Sequence, residues 1–305
     1  MPTRRNVMLR SAAAGLLAPM AGARSARAGA PAAGLRFGVV ADPQYAPVPP
    51  QGTRHYAQSL GKLAQAIEAF NRRDLAFSVT LGDIIDRHWD SYDRILPLYD
   101  RLEAPHAVVL GNHDFEVAPE HVHAVPRRLG LARRHYDFAA RDVRFLVLDG
   151  TEISLFAHPR GSARHDAAAR RLAAMEAAGA VNAKPWNGGL SDAQLAWAED
   201  VIADARAKGQ RVVAMGHYPL YPADPHNCWD DARLVDLFSG YENVVMYLNG
   251  HNHAGNYGRA GGTHYVTFKG MVETADTTAH AVVAIDDDRI EIEGVGREDS
   301  RVLPV

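Results

Sequence analysis

Five times between Leu35 and Gly255, a run of apolar residues stops and Gly, Asp, Asn or His follows at once. The segments are VVADPQY at Asp42 and Gln44, LGDIIDR at Asp83, LGNHDFE at Asn112 and His113, MGHYPLY at His217, and NGHNHAG at His251 and His253. Short apolar runs of this kind read as buried strands, and the carboxyl ends of sheet strands are where loops converge on a ligand in α/β folds. Five polar strand ends can therefore meet at one place.

The residue types at those ends suit a pair of divalent cations roughly 3.5–4 Å apart, clamping the attacking and leaving oxygens of an in-line displacement. One carboxylate has to be shared. Asp83, the single ligand of its segment on a tight glycine turn, is the expected bridge. Asp42, Gln44 and His253 complete one shell, and Asn112, His217 and His251 the other. Mixed oxygen and imidazole donors suit manganese, iron or zinc better than calcium or thiolate-seeking metals. Two carboxylates against two dications leave a positive centre for a phosphate, although the chain carries a formal charge of −3. That mild acidity gives no footprint for nucleic acid or for stable association with an anionic membrane. Cys228 is the only cysteine, which excludes an internal disulfide framework and a thiolate zinc cluster. Of the 15 histidines, His121, His123, His135, His165 and His264 lack ligand-like neighbours and are assigned to ordinary surface or core positions.

The first 28 residues read as a targeting segment. Arg4-Arg5 precedes a short, weakly apolar stretch from Ser11 to Gly22, and Ala26-Arg27-Ala28 offers small residues at a cleavage site. The pattern resembles a twin-arginine export signal, with a periplasmic or secreted destination. From Leu35 to Gly296 no Pro/Gly/Ser-rich linker intervenes, so one domain is expected over 35–296. Strands are expected over Leu35–Ala41, Leu75–Leu81, His106–Leu110, Tyr136–Ala140, Val143–Asp149, Arg211–Met215, Val244–Leu248, Thr263–Phe268 and Ala281–Ile285. Helices are expected over His55–Asn71, Ser91–Leu102, Ala163–Ala178, Ser191–Lys208 and Asp230–Gly240, the fourth opening on a capping box from Ser191 to Gln194. Late in the chain strands dominate, so the sheet becomes mixed or splits into two stacked sheets. The Ala/Arg-rich stretch from Ser162 to Gly179 reads as a surface helix, with an inserted lid as the alternative.

The order D-x-Q, GDxxD, GNHD, GH, GHxH resembles the calcineurin-like metallophosphoesterase superfamily from about Leu35 through His253. Gln44, the WNGGLSDAQLAW segment from Trp186, GHYPLYP and the Lys269–Thr274 run KGMVET are similar to the manganese-dependent ADP-ribose/CDP-alcohol diphosphatases, carrying the likeness to about Ile285. This resemblance implies an α/β fold, a four-layer α/β/β/α sandwich with mixed sheets, and attack on phosphorus by metal-activated water. It implies that His113 protonates or stabilises the leaving oxygen, with Asp86 or Asp114 orienting it. Gln44 stands where most of the superfamily has His. An amide oxygen donates more weakly than imidazole, which favours Mn²⁺ at that position.

For a nucleoside diphosphate-linked substrate, Tyr45, Phe115, Tyr218, Tyr221 and Trp229 are candidate walls, and Asn187, Gly188 and Gly189 candidate amide donors. Arg54 and His55 follow the first metal loop, within reach of a phosphate. The loop His226-Asn227-Cys228-Trp229 either selects substrate, with Cys228 as its contact, or lies buried beneath the site. Two further readings stay open: a broader exported phosphodiesterase or phosphomonoesterase, and a metal- or phosphate-binding protein without turnover.

Overall fold

Strands whose residues are apolar on both faces need cover on both sides, and this chain supplies it with two sheets laid face to face and helices outside each. A computed structural model describes residues 34–305. The expected export signal lies outside the described residues. In chain order the elements are β1 Leu35–Val40, α1 Ser59–Asn71, β2 Phe77–Thr80, α2 Ser91–Tyr99, β3 His106–Val108, α3 Val125–Arg128, β4 Tyr136–Ala140, β5 Val143–Val147, α4 Ala163–Ala177, α5 Asp192–Ala207, β6 Arg211–Met215, α6 Asp231–Ser239, β7 Val244–Asn249, β8 Asn256–Ala260, β9 Thr263–Thr267, β10 Ala279–Ile285, β11 Arg289–Gly296 and β12 Arg301–Pro304.

The first sheet runs β12-β11-β10-β1-β2-β3 and the second β4-β5-β6-β7-β9-β8. Strands β1, β2 and β3 are parallel, with Val39 opposite Val79 and Val79 opposite Ala107. Strands β5, β6, β7 and β9 are parallel as well, while β4 and β8 close the second sheet antiparallel. Between the sheets lies the main core, where Phe37 stacks on Phe77 at 4.9 Å and Phe145 meets Phe77 edge-on at 4.7 Å. Truncating one of these rings to Ala should cost about 3–5 kcal/mol. The outer face of the first sheet packs against α1 and α2 through Leu63, Ile67, Phe70 and Ile95. On the second sheet, α5 and α6 supply Leu195, Ile202, Leu234 and Phe238. The result is the expected four-layer α/β/β/α sandwich.

Several local details differ from the sequence reading. Strands β8, β11 and β12 were not among the expected elements. The first is an edge strand reading NYGRA, too polar to signal itself. In β11, Ile290 and Ile292 point inward and alternate with acidic residues, and β12 pairs with it beyond the 296 boundary. Ser191 Oγ accepts from Gln194 N at 3.2 Å, but Gln194 does not complete a capping box. Its side chain instead holds both backbone groups of Asp149, tying α5 to the end of β5. Helix α4 buries Ala168 and Leu172 against Ala183 and Trp229, and Arg171 Nη2 reaches Asp230 Oδ1 at 2.7 Å. It is a docked surface helix. Among the described residues no helix is long and apolar enough to cross a membrane.

Candidate metal centre

At the carboxyl ends of β1, β2 and β7 the backbone enters conformations that L-residues avoid. Asp42, Gln44, Asp83 and His251 all have positive φ, at 49°, 43°, 54° and 67°. Each such residue costs of order 1–3 kcal/mol, and such strain clusters where geometry is fixed for function. All four are among the seven expected ligands. The preceding glycines permit the crowding: a Cβ on Gly82 would lie 2.4 Å from His217 Nδ1, and one on Gly111 2.2 Å from Asp83 Oδ1.

The seven side chains converge in two halves around Asp83. On one side Asp83 Oδ2 accepts from Gln44 Nε2 at 3.0 Å, and Gln44 Nε2 lies 3.1 Å from His253 Nε2. His253 Nε2 is 3.7 Å from Asp42 Oδ1. On the other side Asp83 Oδ2 is 3.3 Å from His217 Nε2, which is 3.1 Å from Asn112 Oδ1 and 3.2 Å from His251 Nδ1. The ligand atoms of Asp83, His217 and His251 lie within 4.8 Å of one another.

Each histidine has its tautomer fixed from behind. The His217 Nδ1–H donates to Leu81 O at 2.8 Å, and the His251 Nε2–H donates to Asn187 Oδ1 at 3.0 Å. Glu273 Oε1 accepts from His253 Nδ1 at 2.7 Å. The opposite ring nitrogens then turn their lone pairs inward, toward carboxylate and amide oxygens. Such a nest of acceptors around two buried carboxylates is repulsive unless a proton or a cation enters. Among the described residues Gln44 Oε1 is buried without a hydrogen-bond partner, and turning the amide by 180° puts that oxygen where Nε2 now meets Asp83 and His253. The donor set therefore fits divalent cations.

Protonation follows the same crowding. Burial raises Asp42, against the opposing pull of His253 and His217. Burial works on Asp83 as well, but there His217 and His113 prevail and hold the carboxyl far below its usual range. His217 is depressed by burial and lifted further by Asp83, ending at about 9. Burial and the neighbouring His217 hold His251 well below its ordinary value.

Around this centre the sequence-predicted residues divide. His113 donates N–H to Asp83 Oδ1 at 2.8 Å, and its Nδ1 lies 3.1 Å from Asp86 O and 3.4 Å from Asp86 Oδ1. Asp86 is thus the carboxylate beside His113. Asp114, the other candidate for that task, instead accepts from the backbone N–H groups of Asp83, Ile84 and Gly111, pinning two ligand loops together. Burial, then Asp83, pushes its carboxyl up to about 7.

Most of the expected substrate contacts are structural. Tyr45 and Phe115 are buried in the core outside the first sheet. Tyr218 and Trp229 are buried as well. Cys228 lies beneath the loop, its Sγ–H bonded to Gly188 O, and burial pushes its thiol up. Asn187 is fully buried, and its Nδ2 is spent on Asn182 O and Pro225 O. Tyr221 remains exposed beside Tyr265, and His226 stands half-exposed with its ring 5.6 Å from that of His251. Two contacts had not been assigned from sequence. Leu81 O carries no side-chain signal, whereas Glu273 sits in the KGMVET run already noted, without a role.

Two stacked mixed sheets with these strand-end donors define a metal-dependent hydrolase of phosphoester or phosphoanhydride bonds. The chain belongs to the calcineurin-like phosphoesterase family, whose model matches residues 35–255. It is 28% identical to the manganese-dependent ADP-ribose/CDP-alcohol diphosphatase of Xenopus tropicalis, with 88% of this chain and 93% of that protein covered. The human protein of the same name is 26% identical over 88% and 92% of the two chains. Among solved structures, a dimetal phosphatase from Danio rerio superposes with a TM-score of 0.80 at 25% identity, covering 89% of this chain and 99% of that one.

Proposed function

We propose that this protein is a two-metal phosphohydrolase that cleaves the diphosphate of nucleoside diphosphate-linked compounds of the ADP-ribose or CDP-alcohol type, with Mn²⁺ as its resident ion. The observation that carries the reading is the pair of three-ligand half-sites sharing Asp83 Oδ2. The names of the diphosphatase relatives support the substrate class. Asp42, Gln44 and His253 would hold one ion, Asn112, His217 and His251 the other. Bound divalent cations supply Lewis acidity toward a phosphoryl oxygen and a lowered pKa for water. The protein's own part is positional and protolytic. Asp83 and Asp42 set the charge of the pocket, while Asp114 holds the Asp83 and Gly111 backbones so that the two halves keep their spacing. His113, hung on Asp86 by Nδ1, keeps Nε2 for the leaving oxygen, and a pure binder has no need of such an acid.

The test is release of nucleoside monophosphate from ADP-ribose, CDP-choline and CDP-glycerol with Mn²⁺, Fe²⁺ and Zn²⁺ in turn. Turnover should be highest with Mn²⁺. Activity on p-nitrophenyl phosphate or its bis-ester, with none on those diphosphates, moves the assignment to the broader phosphoesterase. That second reading is favoured by Arg4-Arg5, from which we also propose export to the periplasm or beyond, where intracellular ADP-ribose is absent.

A further inference from the structure

We propose that Glu273 is the positioning residue of the Asp42, Gln44 and His253 half-site, and that Lys62, on the far side of the loop, is what keeps Glu273 in place. The inference rests on the two-metal reading and assigns a function to two residues outside the ligand set.

Glu273 Oε1 meets His253 Nδ1 at 2.7 Å, with both side chains nearly buried. A carboxylate behind an imidazole fixes its tautomer and strengthens donation from the opposite nitrogen. Such help counts most on this side of the centre. Gln44 offers an amide oxygen where an imidazole would bind more strongly, so His253 is the only nitrogen donor of its half. On the other side two imidazoles share the load, and the partners behind them are neutral: Leu81 O and Asn187 Oδ1.

The loop carrying Glu273 is fastened far more firmly than a connection needs. Met271 N and Val272 N donate to Ala41 O and Asp42 O at 2.9 and 3.0 Å, so this loop and the Asp42 strand end move as one piece. His55 N donates to Val272 O and Thr274 N donates to Thr53 O, tying the loop to residues 53–55, and Thr274 takes a positive φ of 64°. Beneath it, Lys62 of α1 is 2% exposed and donates Nζ–H to Glu273 O at 3.1 Å and Thr274 O at 2.9 Å. Burying an ammonium against two carbonyls costs free energy that a plain helix–loop contact does not demand. Held this way, the Glu273 carboxylate faces His253, with Arg54 Nε 3.8 Å from the same Oε1 on its more exposed side.

The experiment is Mn²⁺ binding to the metal-free full-length protein, by equilibrium dialysis with elemental analysis and by electron paramagnetic resonance of the coupled ion pair. The wild type should take two ions. Glu273→Gln keeps the shape and removes the charge. One ion should stay at wild-type affinity while the other weakens about 10–100-fold. The coupled signal should vanish at stoichiometric Mn²⁺ and return at excess, which also shows that the fold is intact. Lys62→Met should weaken the same ion by less, in a protein whose Glu273 is untouched. Wild-type affinity for both ions in Glu273→Gln overturns the proposal, as does parallel weakening of both. A wild type that binds fewer than two ions removes the two-metal reading itself.

Discussion

The two halves of the centre are built from similar ligands and backed by different chemistry. Around Asn112, His217 and His251 the histidines lean on a carbonyl and an amide. In the Asp42 half, a single histidine leans on a carboxylate. On the proposed two-metal reading, ligand strength is set in pairs: where the first ligand is weak, as an amide at Gln44 is, the charge sits one residue outward, on Glu273. The half with more imidazole needs no such help.

Replacing the shared ligand breaks the comparison outright. Asp83→Ala should release both ions and lower turnover by about 10⁴-fold or more, some 5 kcal/mol of barrier. Two ions per chain by elemental analysis in that variant would refute a shared carboxylate. A change outside both halves should leave them alone: His113→Ala should lower turnover about 10²–10⁴-fold with metal content unchanged. Undiminished turnover would remove His113 as the acid. Asn187→Leu tests the neutral backing of the other half. Loss of the His251 partner should weaken one ion about 10-fold, the one Glu273→Gln spares, as read by competitive dialysis in the double variant. If both substitutions weaken the same ion, the division into halves is wrong.

The smallest effect is a proton count. His217 sits above its unfolded value, at about 9, so its imidazolium stabilises the metal-free fold below pH 6.5, and this support is lost as pH rises through 9. Metal uptake near pH 7.5 should therefore expel about one proton per chain, measured by pH-stat, and the release should fade above pH 9. His280 provides the contrast of a histidine with no acid beside it among the described residues. Burial alone pushes it down to about 4, so its contribution is present above pH 6.5 and lost as pH falls through 4. His280→Leu should flatten that acid limb in thermal melts, while leaving proton release unchanged.

Much of the fold was legible because buried strands carry their own signal. β4 and β6 have the expected limits, and the longer helices differ from expectation by a few residues at their ends. Two of the four edge strands were not legible, since β8 is half polar and β12 is defined by pairing with β11 rather than by its own four residues. Four of the five candidate aromatic walls, all but Tyr221, are buried for a related reason. A Tyr or Phe beside a ligand loop reads the same whether it faces substrate or fills the core, and Tyr45 and Phe115 fill it.

By itself, the sequence determined the seven candidate donors, their order along the chain and the amide at Gln44, because each follows closely on an apolar run. Only the tertiary structure decided what stands behind them. Glu273 reaches His253, Asn187 reaches His251 across 64 positions, and Leu81 O reaches His217 across 136. These contacts have no local pattern: packing of the two sheets brings the ends of β2 and β6 together at Leu81 and His217, Asn187 comes in from the loop before α5, and Glu273 from the loop after β9.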